Sequence, residues 1–312
     1  MAPIVTPGMA TTYNLNNYQG ELYHLSPFET PLLSAIGGMT GGEDNGSVID
    51  YWGTEENESP EQRAALEGAD PLYSAVGRGQ SSNVKQIYQY GFSVSYTKQA
   101  AVGDLAADSL RVEGTNGVRD EISRQRMLKM RKMATDVEYT FLNGVYSNPD
   151  SNTAPRKTRG ILTAITTNVI TASGAALNKG HLDDLARVMA DGNAMLTSPV
   201  LMMNSWQRQG VSNVYGYAPQ SRTYGGLSIE TIETDFGIFG VTYNRWMPTD
   251  TIALIDLAYL TPTHLAIPGK GTVFVEELAH TGAAWNFQLY GEIGLKYGPE
   301  NWHGKITGLA TS

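Results

Sequence analysis

The spacing of apolar positions changes several times along the 312 residues, and each change predicts a different element. Residues 1–24 are rich in Asn, Thr, Tyr, Gly and Pro and show no apolar period, which predicts an extended strap held by neighbouring copies. Ser26-Pro27-Phe28-Glu29 then has the form of a capping box. Leu32, Leu33 and Ile36 give the helix behind it an apolar face, and Gly37-Gly38 stops it. Ser47 to Trp52 and Asn83 to Thr97 read as strands, with Phe92, Val94 and Tyr96 alternating against small residues. The long stretch between them, 53–82, carries Pro60, Gly68, Pro71, Gly77 and Gly79 and predicts a hairpin arm projecting from the body.

The longest helix is expected over Val118 to Asn143, with Met127, Met130, Ala134, Val137 and Phe141 on one stripe. Asp120 and Arg124 form a favourable i,i+4 pair, and Gly144 suits the position after the helix. Beyond it, Ile161 to Thr171 reads as β, and His181 to Ala190 as a helix burying Leu182, Leu185 and Met189. Val200 to Met203 reads as a buried strand, and Ser205 to Gly210 starts another helix. Strands are expected at Ile238 to Trp246, Ile252 to Leu257, Val273 to Leu278, Trp285 to Leu289 and Lys305 to Leu309. One long helix, several short ones and many separated strands indicate an α+β fold.

Composition narrows the function. Charged residues make up 17% of the chain, against about 25% in an average soluble domain. With 34 glycines, this fits a surface that meets other protein more than a free helical enzyme. The absence of cysteine excludes disulfides, thiol nucleophiles and thiolate metal sites. No apolar run approaches a membrane span, and the first residues lack the pattern of a signal peptide. A net charge of −9 argues against general nucleic-acid binding.

Candidate chemistry is sparse. Neither a G-x-S-x-G elbow nor a Walker or Rossmann fingerprint occurs, and Gly269-Lys270-Gly271 reads as a plain turn. Glu276 with His280 is too few ligands for a metal, and His181 with Asp183 and Asp184 fits the first turn of a helix. Glu230, Glu233 and Asp235 are three carboxylates that could supply the acid/base pair of a β-rich hydrolase, although a solvated strand edge explains them more simply. No catalytic, cofactor or metal residue is therefore assigned.

Charge segregates more clearly. From Asp50 to Asp70 there are seven acids (Asp50, Glu55, Glu56, Glu58, Glu61, Glu67, Asp70) and one base, Arg63. From Arg119 to Lys132 there are six bases (Arg119, Arg124, Arg126, Lys129, Arg131, Lys132) and two acids. Two solvated faces are the simpler reading. The sharper expectation is an intersubunit contact: Glu55, Glu56, Glu58 and Glu61 of one copy near Arg124, Arg131 or Lys132 of another.

The order of these elements resembles tailed-phage major capsid proteins of the Hong Kong phage-type fold, which encapsulin shells also use. Ser26-Pro27-Phe28-Glu29-Thr30-Pro31-Leu32-Leu33 resembles the SP-x-ET-PLL motif of one capsid subfamily. Glu67-Gly68, the strand 91–97, the helix end 138–144, Lys157 to Leu162 and Gly304 to Leu309 follow in matching order. The resemblance implies an N-terminal arm (1–42), an extended loop (43–98) and a peripheral domain (99–177) with a spine helix at 118–143. An axial domain (178–264) and return strands (265–312) complete it.

It further implies a structural, non-enzymatic protein without cofactors, self-assembling as hexamers and pentamers into an icosahedral shell around double-stranded DNA. Its implied location is the virion, after synthesis in the host cytoplasm. Portal, scaffold and decoration or cement proteins are the implied partners; DNA would be met only weakly and non-specifically, and no membrane is involved. About 25 residues precede the first helix, which implies a separate scaffold or none. Lys85 and Lys98 lie away from the loop tip, so no lysine-mediated links between subunits are expected. An encapsulin-like compartment is the alternative within the fold, and a carboxylate hydrolase the alternative outside it.

Overall fold

The computed structural model describes residues 28–55, 58, 60–70, 73, 75–100, 121–215, 221–224, 227–280 and 282–311. The expected strap, the residues Ser26, Pro27, Val118, Arg119 and Asp120, and Glu56 lie outside them. The element order is α1 (Pro31–Ala35), β1 (Glu43–Asp44), β2 (Ile49–Glu55), β3 (Arg78–Val84), β4 (Gln86–Ser95), α2 (Tyr96–Ala100) and α3 (Glu121–Asn143). Then follow α4 (Ile161–Ala164), β5 (Val169–Thr171), α5 (Lys179–Asp191), β6 (Pro199–Met203), α6 (Ser205–Tyr215), β7 (Ser221–Tyr224), β8 (Leu227–Thr234) and β9 (Gly237–Tyr243). β10 (Ile252–Asp256), β11 (Thr261–His264), β12 (Val273–Leu278), β13 (Ala284–Lys296) and β14 (Gly304–Thr307) complete the chain. Helices and strands mix as an α+β fold requires.

Two sheets carry the body. The first runs β1-β11-β13-β12, with β4 along the other side of β13. β13 alternates strongly enough to hold it together: Phe287, Leu289, Ile293 and Leu295 are buried, and Phe287 stacks on Phe92 of β4 at 5.1 Å. The second runs β5-β14-β10-β6-β9-β8-β7 and mixes parallel and antiparallel pairs. Its centre, β6 and β10, is buried at every position, because both faces are covered. Alternate side chains go to different cores. Val200, Met202, Ala253 and Ile255 join the core with Phe141 of α3, while Leu201, Met203, Ile252 and Leu254 join the one with Leu185 and Met189 of α5.

α5 matches its expectation, with Leu182, Leu185 and Met189 buried and the Asn178 side chain capping the His181 N–H. The hairpin is also found: β2 and β3 pair antiparallel from Ile49↔Val84 to Glu55↔Arg78. Five expectations need correction. The first helix starts at Pro31, behind Thr30 rather than Ser26, and Phe28 and Glu29 stand before it. Its end is as expected, with Gly37 and Gly38 at φ +112 and +76, where side chains strain the backbone.

The long helix begins at Glu121 among the described residues, and its buried stripe differs from the predicted one. Met133, Val137 and Phe141 are fully buried, whereas Met127 and Met130 are exposed. Apolar residues in the first half are spread around the helix, with Ile122 about 140° from Met127 and Leu128 on a third side, and periodicity alone cannot choose. The structure chooses Ile122, which packs beside Phe92 and Phe287.

Gly144 does not take a left-handed turn; its role is close approach. A Cβ there would lie 2.5 Å from both the Thr140 and Thr158 carbonyl oxygens. Finally, Ile161 to Ala164 is a helical turn, with Ala164 N donating to Gly160 O and Ile165 N to Ile161 O, and only Val169–Thr171 is strand. A short apolar run buried on all sides has no period that separates strand from helix. The strand read to Thr97 likewise ends at Ser95, and Tyr96 starts a helix with its ring exposed.

Candidate assembly surfaces and their anchors

The hairpin arm is acidic and poorly covered. Glu55, Glu58 and Glu61 are exposed, and Leu66 and Tyr73 are 85% and 92% exposed. The ion pairs seen here are local: Glu55 with Arg78 at 3.4 Å and Glu61 with Arg63 at 3.2 Å. On α3, Arg124 lies 3.5 Å from Glu121, Arg131 stacks over Phe28, and Lys132 pairs with Asp136 one turn on. Within one chain each block thus finds partners outside the other, and among the described residues no ion pair joins the two predicted sets.

The arm's root is different. Lys85 sits at the one-residue break between β3 and β4 and is wholly buried. Its Nζ donates to Asp50 Oδ1, Asn45 Oδ1 and the Ser47 carbonyl, each at 2.6 Å. Asp50 Oδ1 also accepts from Asn45 Nδ2, and Oδ2 accepts from Thr263 Oγ1 at 2.5 Å. Burying an ion pair costs desolvation of both partners, so it holds only when further hydrogen bonds complete it, as here.

A second anchor is Glu138, fully buried on α3. Oε1 accepts from Leu32 N at 2.9 Å and from Asn244 Nδ2 at 2.5 Å, and Oε2 from Leu33 N at 2.6 Å. The carboxylate therefore does for α1 what its own cap does not, since Thr30 makes no side-chain cap bond. Burial pushes its pKa up to about 7, against the opposing pull of these three donors.

The third is His303, also fully buried, between the ends of β13 and β10. Nε2 donates to the Tyr297 carbonyl at 2.8 Å, and Nδ1 accepts from Asp256 N at 3.1 Å. The neutral ring satisfies both; a second proton would set N–H against N–H. Burial holds its pKa below the usual histidine value. The folded chain then binds fewer protons than the unfolded chain just below pH ~6.5, so this stabilisation is present above that pH and lost as pH falls toward the folded value. His303→Asn, which offers an acceptor and cannot titrate, should narrow its stability gap from the natural chain as pH drops from about 7.5 to 5.5. Urea midpoints of the unassembled chain measure it; a constant gap would show that the ring does not titrate in that window.

None of these three anchors was among the predicted site residues. Glu138 had a visible signal, a carboxylate one position from Val137 and three from Phe141 on an apolar helix face. Lys85 and His303 had none, since their partners lie in other elements. The rejected chemical candidates have plain roles. Glu276 pairs with Lys270 at 2.7 Å, and His280 with Glu277 at 3.3 Å. Glu233 and Asp235 are exposed at the β8–β9 turn, and Gly269 and Gly271 make a tight turn at positive φ. Among the described residues, no group of three His, Asp or Glu could hold a metal, and no helix is long and apolar enough to cross a membrane.

The family described as SU10 major capsid protein matches residues 5–310. No curated protein matches the chain. Among solved structures it is similar to the capsid of cyanophage A-1(L), at 12% identity and a TM-score of 0.68, covering 99% of this chain and 100% of that one. The capsid of a native GTA particle has 12% identity and a TM-score of 0.63, covering 98% and 100%. The SrpI encapsulin of Synechococcus elongatus PCC 7942 has 11% identity and a TM-score of 0.64, covering 96% and 95%. At such identities these likenesses speak to fold alone.

Proposed function

The chain belongs to the SU10 major capsid protein family, and from that premise we propose that its copies assemble as hexamers and pentamers into an icosahedral shell around double-stranded DNA. The observation that carries this is a family match over nearly the whole chain, residues 5–310. A capsid subunit is a structural protein, so Glu230, Glu233 and Asp235 are not a hydrolase centre. The arm (1–42), extended loop (43–98), peripheral domain (99–177), axial domain (178–264) and strands returning to both domains (265–312) are the corresponding division. The projecting β2–β3 hairpin and the separate α5 core support it.

We further propose portal, scaffold and decoration proteins as partners, and synthesis in the host cytoplasm. Only weak, non-specific contact with DNA is expected, since a net charge of −9 per copy discourages adhesion to the wall. Expressed chain should form closed shells of uniform diameter by negative-stain microscopy and sedimentation. A small oligomer of 33.8 kDa chains under all assembly conditions would refute the reading. Protein cargo in place of nuclease-protected DNA in native shells would favour the compartment.

The two charge blocks belong to the same proposal: the acidic arm of one copy docks near Arg124, Arg131 or Lys132 of the next. An exposed pair contributes only about 0–1 kcal/mol, but complementary charge acts most on encounter and register. Assembly should slow as salt rises, because screening shortens to about 3 Å at 1 M. Changing Glu55, Glu56 and Glu58 to Lys should block shell formation. Reversing Arg124, Arg131 and Lys132 to Glu in the same chain should partly restore it. Normal shells from the triple-Lys chain would discard the docking contact.

A further inference from the structure

We propose that Asn45 deamidates of its own accord, through a cyclic imide closed with the main-chain nitrogen of Gly46, with Asp44 as the base and Lys85 holding the developing oxyanion. The inference rests on four contacts around one Asn-Gly pair. The nucleophile, Gly46 N, donates to Asp44 Oδ1 at 3.3 Å. The carbonyl it attacks is polarised from two sides, since Asn45 Oδ1 accepts from Lys85 Nζ at 2.6 Å and from Ser47 N at 3.2 Å. The leaving amide nitrogen, Nδ2, donates to Asp50 Oδ1. Base, oxyanion donors and leaving-group contact therefore meet on one side chain, and Lys85, wholly buried, is held in place against it. Gly46 stands at φ +63 and adds no side chain to hinder ring closure. Asn45 itself is exposed, so water reaches the imide.

Water is the one co-reactant. Asp44 takes the proton of Gly46 N as that nitrogen bonds to Asn45 Cγ, and the carbonyl electron pair moves onto Oδ1. Lys85 passes a proton to Nδ2 by way of Asp50 as Oδ1 reforms its double bond; the Cγ–Nδ2 bond breaks and ammonia leaves. Asp44 gives its proton to water and Lys85 regains one, so both return to their starting charge. A water molecule then opens the imide at either carbonyl. One opening gives aspartate at position 45, and the other gives its isomer, with the main chain running through the side-chain carbon.

Either product puts a carboxyl where a neutral amide was, beside the buried pair of Lys85 and Asp50. Two carboxylates then share one ammonium, and like charges so close resist ionising together. The isomer also lengthens the main chain in the turn between β1, which pairs with β11, and β2, the first strand of the arm. The root of the arm thus changes irreversibly after folding, without a partner or a second protein. The change lies within one chain, so it is independent of how copies dock.

The chain carries its own control. Asn-Gly occurs three times, and Asn116-Gly117 lies outside the described residues. At Asn143-Gly144, Gly144 N donates to the Thr140 carbonyl at 2.8 Å and Asn143 Nδ2 to the Trp246 carbonyl at 2.9 Å, with no carboxylate in either contact. Peptide mass mapping with an isoaspartate assay should follow full-length chain, purified as it assembles, held at neutral pH either folded or in guanidinium chloride. Asn45 should convert several-fold faster folded than unfolded, and Asn143 more slowly folded than unfolded. Folded chain held in water enriched in heavy oxygen should take up label at position 45. Asp44→Ala alters an exposed residue and should slow Asn45 several-fold in the folded chain. Asn45 that reacts no faster folded than unfolded, or as fast in Asp44→Ala as in the natural chain, would overturn the proposal.

Discussion

Replacing Phe141 by alanine should destabilise the unassembled chain by about 3–5 kcal/mol. The ring is fully buried in the larger core, which it shares with Met133 and Val137 of α3 and Met202 and Ile255 of the second sheet. It lies where α3 meets both sheets and the α1 and α4 turns, so few of its neighbours can move to fill the space. The loss therefore combines transfer of the ring's apolar surface with a cavity that close packing cannot collapse. Met127→Ala, on the exposed side of the same helix, should change stability by under about 0.5 kcal/mol. Thermal and urea unfolding of the two variants check the contrast. Equal effects would mean that the buried face of α3 is not the one described.

Glu138→Ala should be comparably damaging, for a different reason. It leaves Leu32 N–H, Leu33 N–H and one Asn244 N–H without their acceptor in a buried site. An orphaned buried donor costs about 1–3 kcal/mol, so the variant should lose several kcal/mol and release α1 first. Amide exchange at Leu32 and Leu33 should accelerate before exchange at β6 or β10 does. Glu138→Gln keeps one acceptor oxygen and should fall between the two.

The pH dependence of this anchor has the opposite sign to that of His303. With a folded pKa of about 7 against 4.5, the native chain binds more protons than the unfolded chain between those values. Its contribution to stability should rise as pH falls from about 7 toward 4.5, and Glu138→Gln should remove that slope. A natural chain whose slope matches the Gln variant would show that the three donors fully offset burial.

Much of the local structure was legible because short windows encode it. Val273–Leu278 is a strand at the residues read for it, and Leu182, Leu185 and Met189 predict the buried face of α5. The hairpin could be read from two strand runs around a stretch rich in Gly and Pro, although most of its second strand, Arg78–Val84, lies inside that stretch. The family resemblance was legible too, because it depends on order along the chain. The acidic and basic blocks were visible, but their partners within one subunit, such as Asp136 for Lys132 and Phe28 for Arg131, were not foreseen.

By itself the sequence determined where most of the helices and strands lie and that Val200 to Met203 is buried, as the unbroken apolar run of β6 shows. It also determined that the chain has no cysteine and segregates charge. Periodicity is a local property, so a local reading recovers it. Tertiary structure alone decided which side of α3 turns inward, because Met127 and Ile122 are equally apolar and only the position of β4 and β13 separates them. It decided that α1 starts behind Thr30 and is capped by Glu138, 106 positions beyond Leu32. It also placed Lys85 against Asn45 and Asp50, 40 and 35 positions away. Buried polar groups must find partners wherever the fold brings them, and no window of neighbouring residues contains that information.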